Sequence, residues 1–343
     1  MKKRPKALAL FSGGLDSALA IKVIQEQGVE IIALNFISYF FGGRNIKTDK
    51  MGEQLGIQVE YIDFKREHLK MMKKPVYGMG KNMNPCIDCH SLMFTIAGEL
   101  LPEYGADFLI SGEVLGQRPM SQNAAALEKV SKLSGVGHLI VRPLSGKLLP
   151  STQPMESGLV DKERLLDIQG RSRTRQLQLI EYYNLVEYET PGGGCLLTDP
   201  AYSIRLKILE ADGFIQDEYS YLFYLIRKTR FFRFNEGKYM FVGRDEESNQ
   251  IIASHEDKGY VQLKSKNIPG PRILLFGDFN EEEEKLAGKI FSRYSKVKGR
   301  EDIEVTLLRS SIESHELVRN EILFIPKIDL ISIEGEIKKY QIV

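Results

Sequence analysis

Two short stretches hold the side chains best suited to chemistry. "FSGGLDSALA" sets Ser12, Gly13, Gly14, Leu15, Asp16 and Ser17 between a β-type run, "KALALF", and a helical one. Two glycines let backbone N–H groups approach an anion, and a helix N-terminus adds partial positive charge, so the segment is a candidate phosphate cradle. It lacks the Lys-Ser/Thr of the nucleoside-triphosphate P-loop and the spacing of the dinucleotide fingerprint. A tight strand-to-helix turn capped by Ser or Asp is the plainer alternative. The second stretch, "NPCIDCH", carries Cys86, Cys89 and His90, and the remaining cysteine, Cys195, follows in "ETPGGGCLLTDP". A C-x-x-C pair is half a zinc site, a dithiol couple, part of an iron–sulfur site, or a coincidence of buried thiols.

Three cysteines make no disulfide framework, and a reducing compartment leaves them as thiols, thiolates or metal ligands. Zinc would find four ligands on paper in Cys86, Cys89, Cys195 and His90. His90 is adjacent to Cys89, however, and adjacent residues seldom chelate one ion well. No thioredoxin-like pattern surrounds the C-x-x-C, which weakens the dithiol reading.

The elements that must position these residues alternate in type. "KALALF", "VEIIALNFI", "QVEYIDF", "ADFLISGE" and "HLIVRPL" read as strands, and "SALAIKVIQEQG" and "IKTDKMGEQLG" as helices each ending in glycine. Further helices are expected from Ser91 to about Glu103 and from about Arg171 to Tyr183. This alternation predicts an α/β fold, a doubly wound parallel sheet, with a second, smaller α+β domain after it. At 343 residues two domains are expected; the boundary is set at 205/206, giving 1–205 and 206–343. No apolar run approaches the roughly 18 residues of a membrane span. The basic start "MKKRPKALALF" is too short in apolar residues for a signal peptide, so the expected location is the cytoplasm. A net charge of +1 neither requires nor excludes nucleic acid.

"SGGLDS" resembles the S-G-G-x-D-S motif of the PP-loop pyrophosphatase superfamily. The resemblance implies that ATP adenylates a carbonyl oxygen of the substrate, pyrophosphate leaves, and a nucleophile displaces AMP. It puts the Ser12 and Ser17 hydroxyls and the amides of Gly13, Gly14 and Leu15 on phosphate oxygens, Asp16 on Mg²⁺, and Asn35 and Phe36 where adenine is met. "SGEVLGQRPMSQ" is similar to the G-E-x-L-G-Q-x-x-S-Q stretch of tRNA 4-thiouridine synthases, matched by Gly112, Glu113, Leu115, Gly116, Gln117, Ser121 and Gln122. Gly112, Glu113 and Gln117 thereby join the expected ATP site. "IVRPLSG" and "LVDKERLLDI" continue the match, which spans roughly residues 6 to 200.

In that family a cysteine after the catalytic core receives or relays sulfur, and Cys195 stands at the matching place, beside Gly192, Gly193 and Gly194. Asp16 and Cys195 are thus the expected catalytic residues. The chain departs from the better-known members: it shows no room ahead of residue 6 for their N-terminal tRNA-binding domains, and no recognisable rhodanese domain. It also adds Cys86 and Cys89. That set resembles the iron–sulfur-dependent branch of tRNA thiolation enzymes, which implies a 4Fe–4S cluster on Cys86, Cys89 and Cys195 with one iron open to hydrosulfide. Zinc is the alternative. The sulfur donor would be hydrosulfide or a cysteine desulfurase.

Further on, "FVGRDEESNQ" and "NIPGPR" resemble the RNA-binding domain of NFACT-type proteins through Val242, Gly243, Arg244, Asn249, Ile268, Pro269, Gly270 and Pro271. "IRKTRFFRF" interleaves Arg227, Lys228, Arg230 and Arg233 with three phenylalanines, which suits phosphate contact and base stacking but equally a strand with two faces. Arg171, Arg173 and Arg175 in "QGRSRTRQ" are further candidate RNA contacts, with Arg227, Arg230 and Arg244. The expected activity is ATP-dependent tRNA thiolation. A small-molecule sulfur transferase on the same loop, or an RNA-binding module with a degenerate nucleotide site, are the alternatives.

Overall fold

The computed structural model describes residues 4–186, 188, 194–255, 261–310 and 317–342; Gly192 and Gly193 lie outside them. The chain divides into two compact units, Met1–Thr198 and Asp199–Val343.

In the first unit β1 (Lys6–Leu10), β2 (Glu30–Ile37), β3 (Gln58–Asp63), β4 (Phe108–Ser111) and β5 (Ile140–Val141) form one sheet in the order β3-β2-β1-β4-β5. Every pairing is parallel. Helices α1 (Leu15–Gln25), α2 (Ile46–Leu55), α3 (Lys65–Lys73), α4 (Cys86–Tyr104), α5 (Ala124–Leu133), α6 (Gln153–Glu156) and α7 (Thr174–Tyr182) complete it. Both faces of the sheet are covered, which is why the strands read as unbroken apolar runs. Ala7 and Ala9 of β1 pack with Leu19 and Ile21 of α1, whereas Leu8 between them packs with Leu34, Phe36 and Phe94 on the other face. From β1 the chain builds outward through β2 and β3, then returns to β4 on the opposite side of β1. The crevice beyond the C-terminal ends of β1 and β4 is therefore the topological switch point, where such sheets bind ligands.

One element differs from expectation in a way that matters. Helix α4 begins at Cys86, not Ser91, directly after Pro85. Its first turn carries no apolar periodicity, so the turn signals Pro85 and Asp88 were the only cues. Asp88 is buried there, and its carboxylate accepts from the Val76 and Tyr77 backbone N–H groups, tying the preceding loop to the turn.

The second unit is α+β. Strands β6 (Arg230–Asn235), β7 (Lys238–Val242), β8 (Val261–Lys264), β9 (Ile273–Phe276), β10 (Ile303–Ser310), β11 (Leu317–Ile325) and β12 (Gln341–Ile342) form a sheet in the order β11-β10-β8-β9-β7-β6-β12. All its pairings are antiparallel. It is accompanied by α8 (Pro200–Ala211), α9 (Ser220–Lys228), α10 (Glu246–Ala253), α11 (Glu281–Tyr294) and α12 (Leu330–Tyr340). Among the described residues no helix is long and apolar enough to cross a membrane.

Candidate active site

A cleft of about 710 Å³ opens at the switch point of the first unit, and the "SGGLDS" loop forms one wall of it. Gly13 adopts φ +76, in the left-handed region, and a Cβ there would stand 2.7 Å from Thr48 Oγ1, so glycine is required twice over. Gly14 is the N-cap of α1 and supplies no side-chain cap, while Ser17 Oγ donates to Gly14 O at 2.7 Å. The first-turn amides of α1 are thus left for a ligand. Gly112, at the end of β4, presses against this turn: a Cβ on it would lie 2.5 Å from Ser17 N and 2.6 Å from the Asp16 carbonyl carbon. Ser12, Leu15, Asp16, Ser17, Asn35 and Phe36 line the cleft, as do Gly112 and Glu113.

Asp16 is held from the side of α7. Gln117 Nε2 donates to Asp16 Oδ2 at 2.6 Å, and Gln117 Oε1 accepts from the fully buried Gln176 Nε2 at 2.9 Å. Gln117 thus orients Asp16 and is not among the residues that line the cleft. Asp16 Oδ1 is buried with no hydrogen-bond partner. An ionised carboxylate oxygen left bare on a cleft wall fits a hard cation such as Mg²⁺. Arg173 Nη2 stands 3.7 Å from Asp16 Oδ2 in the same cleft. Arg171 does not line it, and Arg175 is paired with Asp167.

Glu113 is buried and accepts from Arg142 Nε at 2.8 Å, meets His90 Nδ1 at 2.8 Å and takes the Ser111 hydroxyl at 3.2 Å. Burial alone would raise its pKa, but the Arg142 guanidinium and His90 outweigh that and bring it down to about 2. Glu113 is therefore an anchor that ties His90 of α4 to Arg142. Asn35 donates from Nδ2 to Phe11 O at 3.0 Å, leaving its buried Oδ1 without a partner. Phe36 meets Phe64 edge-on at 5.2 Å within the core while its rim reaches the cleft.

The three cysteines share this cleft. Cys86 and Cys89 are one helical turn apart at the start of α4. Cys195 arrives from the far end of the unit, and two hydrogen bonds deliver it: Leu196 N donates to Phe40 O at 2.9 Å, and Asn82 Nδ2 donates to Thr198 O at 2.7 Å. Asn84 Nδ2 donates to Cys86 Sγ at 3.3 Å. Burial pushes the Cys89 thiol well up, and Cys195 and Cys86 add to it. Burial likewise brings Cys195 to about 11, with Cys86 adding and hydrogen bonds at Leu197 and Thr198 opposing. All three cysteines line this one cleft and none of them is in a disulfide. Among the described residues no three His, Cys, Asp or Glu side chains form a group that could hold a metal ion. His90, the fourth ligand a zinc ion would need beside the three cysteines, is engaged by Glu113. Cys89 is buried, and Cys86 and Cys195 are partly exposed to the cleft.

Several of these residues gave no sequence signal. His68 lies fully buried at the cleft's rear, its ring 5.3 to 5.8 Å from Phe40, Phe41 and Phe64, with both nitrogens unpartnered. Asn82 and Asn84 read only as loop residues, although Asn-Pro before a helix marks the loop's end.

In the second unit Phe231 and Phe232 are fully buried and Phe234 stacks on Tyr340 at 4.5 Å. Of the two readings of this stretch, Phe231 and Phe232 follow the one in which the strand faces a core. Arg230 donates to Gly243 O at 2.7 Å and lies 4.4 Å over the Tyr294 ring, and Arg233 pairs with Asp212 at 2.7 Å. Arg227 and Arg244 are exposed. Asn249 Oδ1 accepts from Arg272 N at 2.8 Å, and Gly243 N donates to Arg272 O at 2.9 Å, so the two motif segments are stitched together.

Residues 3–148 match the family described as thiamine biosynthesis protein (ThiI). Residues 229–323 match the NFACT protein RNA binding domain. The first unit is an α/β domain that resembles the PP-loop domains of the ThiI family, and the chain is similar to the tRNA sulfurtransferases. Its curated relatives include a probable tRNA sulfurtransferase of Thermococcus kodakarensis, 30% identical over 181 residues, or 51% of this chain and 42% of that protein. Another, from Finegoldia magna, is 24% identical over 188 residues, or 54% and 44%. The chain therefore spans less than half the length of these relatives. A solved 4-thiouridine synthetase–RNA complex with bound ATP is 20% identical, covering 53% of this chain and 52% of that one at a TM-score of 0.35.

Proposed function

We propose that the protein is an ATP-dependent tRNA sulfurtransferase that adenylates a uridine carbonyl oxygen and then replaces that oxygen with sulfur. The observation that carries the reading is that the phosphate loop and all three thiols line one cleft. The names of the relatives support tRNA as the substrate, and the NFACT-type match supports an RNA contact by the second unit.

The amides of the first α1 turn and the hydroxyls of Ser12 and Ser17 receive the ATP phosphates. Asp16, oriented by Gln117, would hold Mg²⁺ through its bare Oδ1. The uridine carbonyl oxygen attacks the α-phosphorus, the bond to the bridging oxygen breaks, and pyrophosphate departs into preorganised donors that stabilise its charge. A sulfur nucleophile then attacks the activated carbon and AMP leaves with the original oxygen. A 4Fe–4S cluster bound to Cys86, Cys89 and Cys195 would supply an iron free of protein ligands for carrying inorganic sulfur. The Cys195 thiol, at about 11, is protonated at neutral pH, so ligation releases protons. The hydrogen bond from Asn84 keeps the Cys86 sulfur directed at the cleft.

Anaerobically purified protein should hold about four irons per chain, release pyrophosphate only with ATP and tRNA together, and leave a thionucleoside in the digested tRNA. Pyrophosphate release without RNA would move the activity to a small molecule. A colourless protein with one zinc would remove the cluster.

A further inference from the structure

We infer that Arg173 binds a β- or γ-phosphate of ATP, a role that rests on the use of ATP in this cleft. Its sequence context, three arginines in five residues, suggests a surface patch for RNA, but the three have different surroundings. Arg175 is neutralised by Asp167 and Arg171 lies off the cleft, whereas Arg173 lines the cleft beside the loop. Its Nη2 is 3.7 Å from Asp16 Oδ2, an ion-pair separation too long for a hydrogen bond.

Asp16 does not need that partner, because Gln117 already occupies Oδ2 at 2.6 Å. Meanwhile Arg173 Nη1 is buried with no acceptor, and a buried N–H without an acceptor is rare enough to require an explanation. The acceptor it lacks must be anionic, reach the loop, and stand within the cleft. A phosphate oxygen meets all three conditions, and a guanidinium suits it by geometry as well as charge. Proximity to Asp16, rather than to the cysteines, points to the departing pyrophosphate end of the nucleotide.

The test compares wild type, Arg173→Gln and Arg173→Lys. Calorimetry would measure binding of the Mg²⁺ complex of a non-hydrolysable ATP analogue and of AMP, and filter binding would measure tRNA. Arg173→Gln should weaken the triphosphate analogue by about tenfold or more, the loss of one charged hydrogen bond, with AMP and tRNA affinities changed less than about twofold. Arg173→Lys should recover part of the loss, since it keeps the cation without the fork, and it carries the test if the glutamine variant does not fold. Unchanged triphosphate affinity, an equal loss for AMP, or a loss confined to tRNA would each overturn the assignment. Wild-type protein that binds no ATP analogue would remove the ATP reading itself, and the inference with it.

Discussion

Replacing Gly112 by alanine tests the phosphate cradle with one methyl group. The added Cβ would stand 2.5 Å from Ser17 N and 2.6 Å from the Asp16 carbonyl carbon, where ordinary contact begins at 3.4 Å. The first turn of α1 or the end of β4 must therefore yield by about 0.9 Å, and both neighbours are backbone, with no flexible side chain to swing aside. Overpacking of this kind costs about 1–3 kcal/mol of stability. A misplacement near 1 Å in a reacting geometry costs on the order of 10²-fold in rate. Gly112→Ala should thus fold, with a lowered urea midpoint, and should release AMP on the order of a hundredfold more slowly with ATP and tRNA. Gly335→Ala provides the matched control: nothing lies within 4 Å of its added Cβ, and in a helix interior it should add about 1 kcal/mol of stability without touching the rate. Wild-type turnover in Gly112→Ala would refute the placement of the loop against β4.

Asp16→Asn should abolish AMP formation while retaining tRNA binding, because it removes the bare anionic oxygen but keeps the Gln117 contact; gel-shift and AMP assays on one preparation would separate the two. His68 is fully buried and burial lowers its pKa from 6.5 to about 4. The neutral ring is favoured in the fold, so this contribution is complete above about pH 6.5 and is lost as pH falls toward 4, by about 3 kcal/mol in all. His68→Leu should flatten that part of the stability–pH curve in urea titrations between pH 7.5 and 4, and an unchanged slope would exclude the histidine as its source. Glu113→Gln should cost about 3–5 kcal/mol at pH 7, since it strands the buried Arg142 charge. Glu113 is held down near 2 in the fold, so wild type keeps this advantage above about pH 4.5 and loses it toward pH 2; a gap between the proteins that ignored pH would argue against an ionised Glu113.

Most of the first sheet was legible because a parallel sheet buried on both faces leaves continuous apolar runs, as in β1 and β2, and glycine ends its helices. The turn between β1 and α1 was legible because Gly13 and Gly14 mark a tight strand-to-helix junction. The start of α4 was not, since Cys86 to His90 carry no helical apolar pattern and the turn forms through Pro85 and the buried Asp88. Nor could spacing place Cys195 beside Cys86, which depends on side chains of Asn82 and on the backbone of Phe40, far apart in sequence. Gln117 was placed by the family motif and Arg173 by its arginine-rich stretch, whereas their contacts with Asp16 depend on which elements the folded chain sets opposite it. In β6 the mixture of arginine and phenylalanine suited two readings, and the second layer of helices over the sheet decided for burial.

Cys195 is held in place by Leu196 and Thr198, at the very end of the first unit. A ribosome finishes Cys86 and Cys89 and then adds roughly a hundred residues before these anchors emerge, a delay of roughly 5–20 s at ordinary synthesis rates. During that interval the nascent chain has its phosphate loop and two thiols but cannot close the third side. A stalled product that ends before residue 195 would present only the two thiols of α4 to the cleft.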